Sequence, residues 1–536
     1  MTRRFRGRRG LALAATSSAA LLLAGTTALA AGPAGAAARS SSGSTGGSTK
    51  IVYQVHPIAI KSFVSAPSSA RPSQGLGTGA WSSTPGQCVA LSGLACYTPA
   101  VFHAAYKIPW TINGEWAGTG QRVAIIDAYG SPTVASDLAT FDAEFGLPPA
   151  NLHVWYPLGK VPYNGLVRKG LQTGWAEETS LDVQTVHDLA PGATINLVVA
   201  PNPGGNALNL AERFAVQHHL GSAMTMSFGI PEAAFHGNNA QMMQANAIYA
   251  QAAKEGISVF ASSGDSGATN GAATPNAGFP ASDPNVTAAG GTDLFVGADA
   301  SFQGMNFAPI LASLPSLTST ELADLLAQYS STNYTYANET AWADFNASTC
   351  PFGCTAGPFG ATGGAPSAFF AAPSWQSSSS SWQMAAGTAE GTNTPMMRTT
   401  SDVAFNASVY TASMIYLGFL GGQNNGFYFF GGTSEASPSW AAITADLDQA
   451  RATESTPQGP LGLMSPTLYK LASKPMAYAA DFHDVTVGEN NDPATATGFS
   501  AGTGYDLPTG LGTPIVTGLI HSLAPKASYT FSAPMP

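Results

Sequence analysis

Charged side chains are scarce in this chain. Asp, Glu, Lys and Arg together make up 10% of its 536 residues, and the formal net charge is -10. A chain with so few basic groups lacks a strongly positive surface, so we predict no nucleic-acid partner. Few ionisable groups also mean that acid adds little charge repulsion, so a fold of this composition should tolerate low pH.

Cysteine is also rare. The four cysteines form two close pairs, Cys88 with Cys96 and Cys350 with Cys354. In an oxidising compartment, two local disulfides are favoured among the three possible connectivities. A zinc site is the alternative, but the two pairs lie far apart in the sequence and have no histidine nearby.

Long apolar runs are missing beyond the first residues, so no later segment is predicted to span a bilayer. Residues 1–38 combine an Arg-rich head, an apolar stretch and small-residue cleavage sites at residues 28–30 or 36–38, the pattern of an export signal. The pair Arg3-Arg4 leaves twin-arginine export open. We predict a secreted, extracellular protein without a membrane partner once the signal is removed.

The segment after this signal has few features of a folded domain. Residues 39–87 begin with a Ser/Gly-rich stretch and contain one short strand-like run, "IVYQVHPIAI". We predict that they form a flexible N-terminal segment or a short prosegment. The folded domain is predicted over residues 88–524, with a C-terminal tail over residues 525–536.

Strand-like and helix-like segments alternate within this domain. The runs "RVAIIDAYG", "ATINLVVA", "SAMTMSFG" and "GISVFASSGDSG" are short and apolar and end in Gly or polar turns, as buried parallel strands do. Between them, "NLAERFAVQHHL" and "NNAQMMQANAIYAQAAKEG" have helical spacing. The pattern predicts an α/β fold with a central, mostly parallel sheet and sites at the carboxyl ends of its strands. Residues 295–382 are predicted as long surface loops.

Two serines have sequence neighbours that suit a nucleophile. Ser434 lies in "GGTSEASP", where the glycines permit close approach and a helix start offers unpaired N–H groups to a negative charge. Pro438 would then fall in the first helical turn, where a missing N–H is tolerated. The alternative is that Ser434 or Thr433 only caps a helix. Ser266 lies in "GDSG", as in trypsin-like enzymes, but the chain lacks their strand pattern and histidine motif.

A catalytic serine needs a base, and the histidine motif of the subtilisins is missing. None of the nine histidines follows a strand and opens a helix with Gly beside it, although Asp127 in "AIIDAYG" could be the acid of such a triad. A neutral, histidine-dependent serine protease is therefore disfavoured. The helical stretch of residues 174–193 offers carboxyl groups instead. Glu178 and Asp182 lie one turn apart on one face, while His187 points to the opposite side.

Two carboxyl groups at this spacing allow two interpretations. If both face a cleft, they share a proton, and their apparent pKa values split so that one can act as a base in acid. If both face water, they are only a solvated acidic helix surface.

Together, "EETSLD", "SSGDSG" and "GGTSEASP" resemble the motifs of the sedolisins, the serine-carboxyl peptidases, in which a Glu replaces the catalytic His of a subtilisin-like fold. The resemblance extends from "CYTPAVFHAAYKIP" to "GTGYDLPTGLGTP" and so covers most of the chain. It implies a subtilisin-like, three-layer α/β fold and an acid-active endopeptidase of the serine type.

The resemblance also implies a role for each matching residue. Ser434 would be the nucleophile that forms the acyl-enzyme, with Glu178 as its general base and then acid. Asp182 would hydrogen-bond Glu178 to hold and tune it. Asp265 would stabilise the oxyanion, which requires its protonated form because only a neutral carboxyl group can donate a hydrogen bond.

Near the end of the chain, "HDVTVGEN" and "AGTGYDLPTG" resemble the family's calcium site, which implies one structural Ca²⁺. Asp484 and Asp506 would supply carboxylate oxygens, and Val485, Gly502 and Gly504 would supply backbone carbonyl oxygens. Ca²⁺ prefers such oxygen ligands. The alternative is that these Asp/Gly-rich loops are only turns.

The resulting prediction is a secreted, monomeric acid endopeptidase acting on proteins or peptides. The alternative from another class is a catalytically silent relative that binds peptides outside the cell; the four occupied catalytic positions disfavour it. Only roughly 50 residues separate the predicted signal from the first domain motif, and chains below about 40 to 60 residues struggle to build a core. The long folded prodomain that is typical of sedolisins is therefore not expected here.

Overall fold

The structure is a computed structural model that describes residues 51–55, 58–61, 83–164, 171–237, 239–344, 360–452, 454, 459–491 and 497–532. The predicted export signal and the pair Cys350 and Cys354 lie outside these residues. Among the described helices, none is both long and apolar enough to cross a bilayer.

The helices of the described residues are α1 (Pro85–Ser92), α2 (Pro99–Ala105), α3 (Val134–Phe145), α4 (Leu171–Leu189), α5 (Gly205–Gln217), α6 (Ala240–Lys254), α7 (Ala308–Ser313), α8 (Ser319–Gln328), α9 (Ser374–Ser377), α10 (Ser380–Glu390), α11 (Thr433–Ala452), α12 (Ser465–Ala472), α13 (Pro475–Asp481) and α14 (Val516–Leu523). Short 3-10 helices occupy Glu232–Phe235, Gly267–Thr269, Ala300–Phe302, Leu314–Ser316 and Gly422–Asn424.

The strands of the described residues are β1 (Ile58–Lys61), β2 (Ala95–Tyr97), β3 (Thr111–Ile112), β4 (Glu115–Trp116), β5 (Arg122–Ala128), β6 (Asn151–Trp155), β7 (Thr194–Ala200), β8 (Ala223–Met226), β9 (Ile230–Pro231), β10 (Ser258–Ser262), β11 (Gly278–Phe279), β12 (Thr287–Val296), β13 (Tyr336–Ala341), β14 (Pro366–Ala371), β15 (Met397–Thr399), β16 (Val403–Asn406), β17 (Thr411–Leu417), β18 (Gly426–Gly431), β19 (Phe482–His483), β20 (Thr513–Pro514) and β21 (Tyr529–Thr530).

An eight-stranded sheet forms the centre of the fold. Its strand order is β13-β12-β10-β8-β5-β7-β6, and β16 also pairs with β12. Every pair in this sheet is parallel except β12 with β13. The four segments predicted as buried parallel strands coincide with β5, β7, β8 and β10, so the predicted central sheet is confirmed.

Helices cover both faces of this sheet, which gives three layers. Along β5, Val123 and Ile125 pack into one apolar core, while Ala124 and Ile126 pack into another on the opposite face. Successive side chains of a strand point to opposite faces, so each face needs its own cover. α4 and α11 pack on the first face, and α5 and α6 on the second.

The carboxyl ends of three central strands meet at one edge of the sheet. Asp127 lies near the end of β5, Ser227 directly follows β8, and Asp265 follows β10 after two residues. The helix α11 begins beside this edge, because Thr433 contacts Asp265. The edge is where ligand sites of parallel sheets form.

Residues 295–382 contain more regular structure than the sequence analysis predicts. Their described part includes α7, α8, α9, β13 and β14. The N-terminus of α8 is stabilised by a capping box, in which the Thr318 hydroxyl accepts from the Glu321 N–H and the Glu321 carboxylate accepts from the Thr318 N–H. A local sequence signature for this helix was therefore present.

The first cysteine pair forms the predicted disulfide. Cys88 and Cys96 are bonded and join α1 to β2, which excludes a zinc site at this pair. The helix α1 begins at Pro85, and β1 pairs with β18. The predicted domain boundaries stay predictions.

Candidate active site

The turn that carries Ser434 depends on a glycine. β18 ends at Gly431 and α11 begins at Thr433, so the chain passes from strand to helix over Gly432, whose φ is +117°. Residues with a side chain rarely adopt this conformation. A Cβ at this position would also lie 2.9 Å from Asp265 Oδ2. Ser434 follows as the second residue of α11 and is 3% exposed.

Pro438 lies inside α11 rather than in its first turn, so its predicted position is wrong. In a regular helix the N–H at this position would donate to the carbonyl oxygen of Ser434, four residues earlier, but proline has no N–H. The Ser227 hydroxyl lies 3.1 Å from this carbonyl oxygen and donates to it instead. The proline thereby leaves the backbone of Ser434 available for a contact with the loop after β8.

Asp265 is tied to the start of α11. Its Oδ1 accepts from both the backbone N–H and the hydroxyl of Thr433, each at 2.7 Å. The Thr433 hydroxyl in turn accepts from the Gly264 N–H at 3.1 Å. Asp265, Ser266 and Ser434 line one cavity. The structure therefore brings Asp265 to Ser434, as the sequence motifs predict.

The helix α4 brings Glu178 and Asp182 to the same place. This helix packs against α11, and both carboxyl groups are fully buried. The Ser434 hydroxyl interacts favourably with Glu178, yet no donor in the described chain reaches either Glu178 oxygen at hydrogen-bond geometry. The contact is therefore looser than a formed hydrogen bond, as is common for catalytic pairs without substrate. Asp182 Oδ1 lies 2.7 Å from the same Ser227 hydroxyl, whose single proton is shared between this oxygen and the Ser434 carbonyl oxygen.

Burial dominates the electrostatics of this pair. It raises the pKa of Glu178 well above its ordinary value, and the charges of Asp182, Asp127 and Asp265 add to the effect, while the Ser434 hydroxyl opposes it. Burial also raises the pKa of Asp182, with a further contribution from Asp127. Ionised carboxylates in a dry, crowded site repel each other, so they must share protons. The solvated acidic surface is thus excluded for this helix face.

Asp127 lies at the candidate site, but its neighbour is not the histidine with which a triad would pair it. It was a candidate acid for a histidine triad, and the structure places it close to Asp182 instead. Burial raises the pKa of Asp127 to about 7, and the nearby Thr179 hydroxyl opposes this shift. The Thr179 hydroxyl donates to the carbonyl oxygen of Trp175 at 2.8 Å, and no donor in the described chain reaches an Asp127 oxygen at hydrogen-bond geometry. Its position at the end of a central parallel strand was the available signal. Glu178, Asp182 and Asp127 together form a buried group of interacting carboxyls.

The histidines with described polar contacts use them elsewhere in the molecule. His187, on the opposite side of α4 from Glu178, lies 3.2 Å from Asp142 and 2.9 Å from the carbonyl oxygen of Pro148. His103 bonds the carbonyl oxygens of Ile108 and Asp188, and His218 and His219 contact Phe214 and Glu255. The predicted orientation of His187 is confirmed.

Known proteins match this fold and site. The sequence profile of the Subtilase family matches residues 172–468. Kumamolisin of Bacillus sp. (strain MN-32) is 29% identical over 438 residues, which cover 81% of this chain and 64% of that protein. Sedolisin of Pseudomonas sp. (strain 101) is 28% identical over 347 residues, which cover 62% of this chain and 47% of that protein.

A solved structure agrees with these sequence matches. Pseudomonas sedolisin, a serine-carboxyl proteinase complexed with two molecules of pseudo-iodotyrostatin, superposes with a TM-score of 0.60 at 25% identity and covers 81% of this chain and 99% of that one. The chain belongs to the sedolisin family of subtilases. The predicted subtilisin-like fold is thereby confirmed.

The Subtilase match includes the candidate catalytic residues. The span matched by the Subtilase profile contains Glu178, Asp182, Asp265 and Ser434 and ends before Asp484. The chain spans 64% of the length of kumamolisin and 47% of that of Pseudomonas sedolisin.

The predicted calcium ligands lie together in the sedolisin-like domain. The Gly504 N–H donates to both Asp484 oxygens, at 3.1 and 3.0 Å, and the Gly502 N–H donates to Asp506 Oδ2 at 2.9 Å. Within the described ranges, no donor bonds the carbonyl oxygens of Val485, Gly502 or Gly504. These five oxygen-bearing residues therefore fit a cation that prefers hard ligands.

The charges of this region also favour a cation. The pKa of Asp506 is raised to about 7, chiefly by burial and to a smaller extent by the neighbouring Asp484 carboxylate, while hydrogen bonds from Gly502 and Thr509 oppose the shift. A cation between the two carboxylates would offset their repulsion. The described residues hold no cluster of three or more His, Cys, Asp or Glu side chains suited to a metal. An ion here would consequently depend on the backbone carbonyl groups as well.

Proposed function

We propose that this chain is a secreted serine-carboxyl endopeptidase that hydrolyses peptide bonds in proteins or peptides at acid pH. The observation that carries the proposal is the burial of Glu178 and Asp182 beside Ser434, with no described histidine contact at that hydroxyl. Secretion rests on the predicted signal in residues 1–38. Membership of the sedolisin family supports a peptidase of the serine type.

The first half of the reaction forms an acyl-enzyme on Ser434. Its Oγ attacks the substrate carbonyl carbon while the Glu178 carboxylate takes the hydroxyl proton, and the carbonyl electron pair moves to oxygen. When the tetrahedral intermediate collapses, the C–N bond breaks and Glu178 gives its proton to the leaving amine. Water then attacks the ester with Glu178 again as base, which releases the acid product and restores Ser434.

Asp182 and Asp127 would set the charge of Glu178. Three buried carboxyl groups cannot all ionise so close together. Protons held by Asp182 and Asp127 would remove two of the charges that raise the pKa of Glu178, and the Ser434 hydroxyl would stabilise its carboxylate. The one negative charge of the group could then lie on Glu178. Ser227 would orient Asp182, because its hydroxyl lies 2.7 Å from Asp182 Oδ1. Asp182 and Asp127 are therefore positioning residues.

Asp265 would stabilise the oxyanion of the tetrahedral intermediate. Its Oδ1 is occupied by two donors from Thr433, so the acid proton would lie on Oδ2. A neutral carboxyl group held in this way can donate a hydrogen bond to the developing negative charge. An ionised Asp265 would instead repel it, which confines the activity to acid.

One structural Ca²⁺ is part of the proposal. Asp484 and Asp506 would bind it through carboxylate oxygens, and Val485, Gly502 and Gly504 through carbonyl oxygens. The ion would supply positive charge that joins two loops near the C-terminus. It takes no part in the reaction steps.

The test is hydrolysis of a denatured protein by the full chain from about pH 2.5 to 8, a range that spans carboxyl and histidine titration. Ser434→Ala, Glu178→Gln and Asp265→Asn are compared with wild type. Glu177→Gln is the matched control, because Glu177 is the adjacent acid on α4 and has no role in the proposed steps. We expect activity in acid alone, lost in the three variants and retained in the control.

Two results would contradict the proposal. Activity that peaks near neutrality and survives Glu178→Gln would exclude Glu178 as the base. No cleavage at any pH by a folded, calcium-loaded chain would favour a silent relative that binds peptides.

A further inference from the structure

The loop that carries Asp265 is bound by the backbone of residues 360–363. The Ala361 N–H donates to the carbonyl oxygen of Asp265 at 3.1 Å. The Gly363 N–H donates to the carbonyl oxygen of Gly264 at 2.7 Å. The position of Asp265 therefore depends on where residues 360–363 lie.

Residues 342–344 in turn bind residues 360–363. The Thr362 N–H donates to the carbonyl oxygen of Trp342 at 3.0 Å. The Asp344 N–H donates to the carbonyl oxygen of Gly360 at 2.7 Å. Backbone hydrogen bonds thus connect the segment of Asp344 to the loop of Asp265 through one intervening segment.

The side chain of Trp342 packs beside the same loop. A Cβ added at Gly360 would lie 3.0 Å from Trp342 Cη2 and 2.6 Å from the Asp265 carbonyl oxygen. A Cβ added at Gly291 would lie 3.1 Å from Trp342 Cε3 and 3.3 Å from Thr433 Cγ2. The indole is therefore close both to the Asp265 backbone and to Thr433, which binds the Asp265 carboxyl group.

Asp344 fixes the orientation of this indole. Trp342 Nε1 donates to Asp344 Oδ2 at 2.7 Å, and the Ser408 hydroxyl donates to the same oxygen at 2.6 Å. Both Trp342 and Asp344 are buried. An indole has a single polar group, and burial without a partner is costly, so this one bond determines how the ring is turned.

Asp344 serves as a neutral acceptor in acid. Burial raises its pKa well above the ordinary value, and the charge of Asp293 raises it further, while the Ser408 hydroxyl and the Trp342 indole oppose the shift. A protonated carboxyl group offers one acceptor oxygen and one donor, and a side-chain amide offers both as well. Asparagine should therefore replace Asp344 without loss of the bond to Trp342.

The geometry points to a positioning role: we propose that Asp344, through Trp342, holds Asp265 in the place where it stabilises the oxyanion. The inference rests on the proposed peptidase function and adds a residue to its machinery. Neither Asp344 nor Trp342 is among the described residues that line the catalytic cavity. Asp344 is therefore a positioning residue and not a catalytic one.

The kinetic test compares Asp344→Ala, Trp342→Phe and Asp344→Asn with wild type in the full chain. The first two should lower kcat about tenfold with little change in KM, because the oxyanion forms only after substrate is bound. Asp344→Asn should retain kcat. If Asp344→Ala fails to fold, Trp342→Phe, which keeps a ring without the N–H donor, carries the test.

The matched control is Asp299→Ala. Asp299 is also a fully buried acid, and its Oδ2 accepts from the Tyr97 hydroxyl at 2.7 Å. Its Oδ1 accepts from the Val296 N–H, so its described partners lie outside the Asp265 loop. This variant should keep kcat, and a tenfold loss here would assign the effect to general destabilisation and overturn the inference.

An inhibitor pair tests the oxyanion directly. With a peptide aldehyde, Ser434 Oγ forms a bond to the carbonyl carbon, the carbonyl electron pair moves to the oxygen and the hydroxyl proton passes to Glu178. The alcohol of the same peptide cannot form this adduct. The ratio of the two inhibition constants therefore reports oxyanion stabilisation, and Asp344→Ala should decrease it about tenfold.

A double variant tests whether Asp344 acts through Asp265. In an Asp265→Ala background, Asp344→Ala should decrease the inhibitor ratio no further, because residues that act as a unit are not additive. A full tenfold decrease in that background would overturn the inference. An unchanged ratio in Asp344→Ala with Asp265 present would overturn it as well.

Hydrogen exchange decides the anchoring even if no peptide is cleaved. In the full chain with Ser434→Ala, the amides of Ala361 and Gly363 should exchange about tenfold faster with Asp344→Ala, but not with Asp344→Asn or Asp299→Ala. Unchanged exchange at both amides would overturn the inference. Absence of cleavage and of aldehyde binding in wild type would instead count against the proposed function.

Discussion

Glu339 offers a test of how buried carboxyl groups adapt this protein to acid. It lies on β13 and is 5% exposed. Its Oε1 accepts from the hydroxyls of Tyr106 at 2.6 Å and Thr292 at 2.8 Å, and its Oε2 accepts from Thr513. Burial nevertheless raises its pKa from 4.5 to about 7. We predict that Glu339→Gln flattens the pH dependence of stability.

The magnitude follows from proton linkage. As pH rises past 4.5, Glu339 ionises in the unfolded chain but keeps its proton in the folded protein until about pH 7. The folded state therefore binds the proton more tightly, and the free energy of unfolding falls through this window. A shift of this size corresponds to about 3 kcal/mol. Glutamine does not titrate, so the variant should escape this loss.

The assay is urea unfolding between about pH 4 and 8, in a Ser434→Ala background that prevents self-digestion. The relevant quantity is the difference in unfolding free energy between Glu339→Gln and its parent at each pH. Any constant penalty of the amide cancels in the pH dependence of this difference. Glu115→Gln, an exposed Glu on β4, is the control.

We expect the stability of the parent relative to Glu339→Gln to decrease by about 3 kcal/mol from pH 4 to pH 8. A relative stability that stays constant over this range, or that increases with pH, would refute the reasoning. A similar change in the Glu115→Gln control would assign the effect to net charge rather than to burial.

Two further predictions concern the site and the metal. Ser227→Ala should lower kcat about tenfold with little change in KM, because Asp182 and the Ser434 carbonyl oxygen lose their shared donor. The control is Thr225→Val, which removes a nearby buried hydroxyl. An equal decrease of kcat in this control would contradict the role assigned to Ser227. Removing Ca²⁺ with a chelator should lower the thermal midpoint of the Ser434→Ala chain. Asp506→Asn should abolish that shift, and an unchanged shift would place the ion elsewhere.

Several features of the fold were predictable from local sequence alone. The apolar runs that become β5, β7, β8 and β10 carry their signal within a few residues, because a buried parallel strand is apolar on both faces. The helix α4 was predictable from its spacing, which also placed Glu178 and Asp182 on one face. The helix α8 was missed although Thr318 and Glu321 form a capping box. The overall composition of residues 295–382 predicts loops, whereas the capping box is a local signal for a helix.

The residues of the catalytic site were predictable singly, and their arrangement was not. The glycine turn before Ser434 and the acids on α4 are local patterns. The electrostatic interaction of Asp127 with Asp182 and the hydrogen bond from Ser227 to the Ser434 carbonyl oxygen join different strands and helices. They depend on the order of strands in the sheet, which no spacing in the chain encodes.

The N-terminal segment shows most clearly which features the sequence determines and which only the tertiary structure decides. By itself, the sequence determined a short strand-like run with a tyrosine at its centre. Only the tertiary structure decided that residues 51–55 of this run bond the backbone of the loops at Pro203 and Gly229 and that Tyr53 is buried. The physical reason is that an extended segment has no internal hydrogen bonds, so its conformation and its place are determined by the backbone edges that bind it.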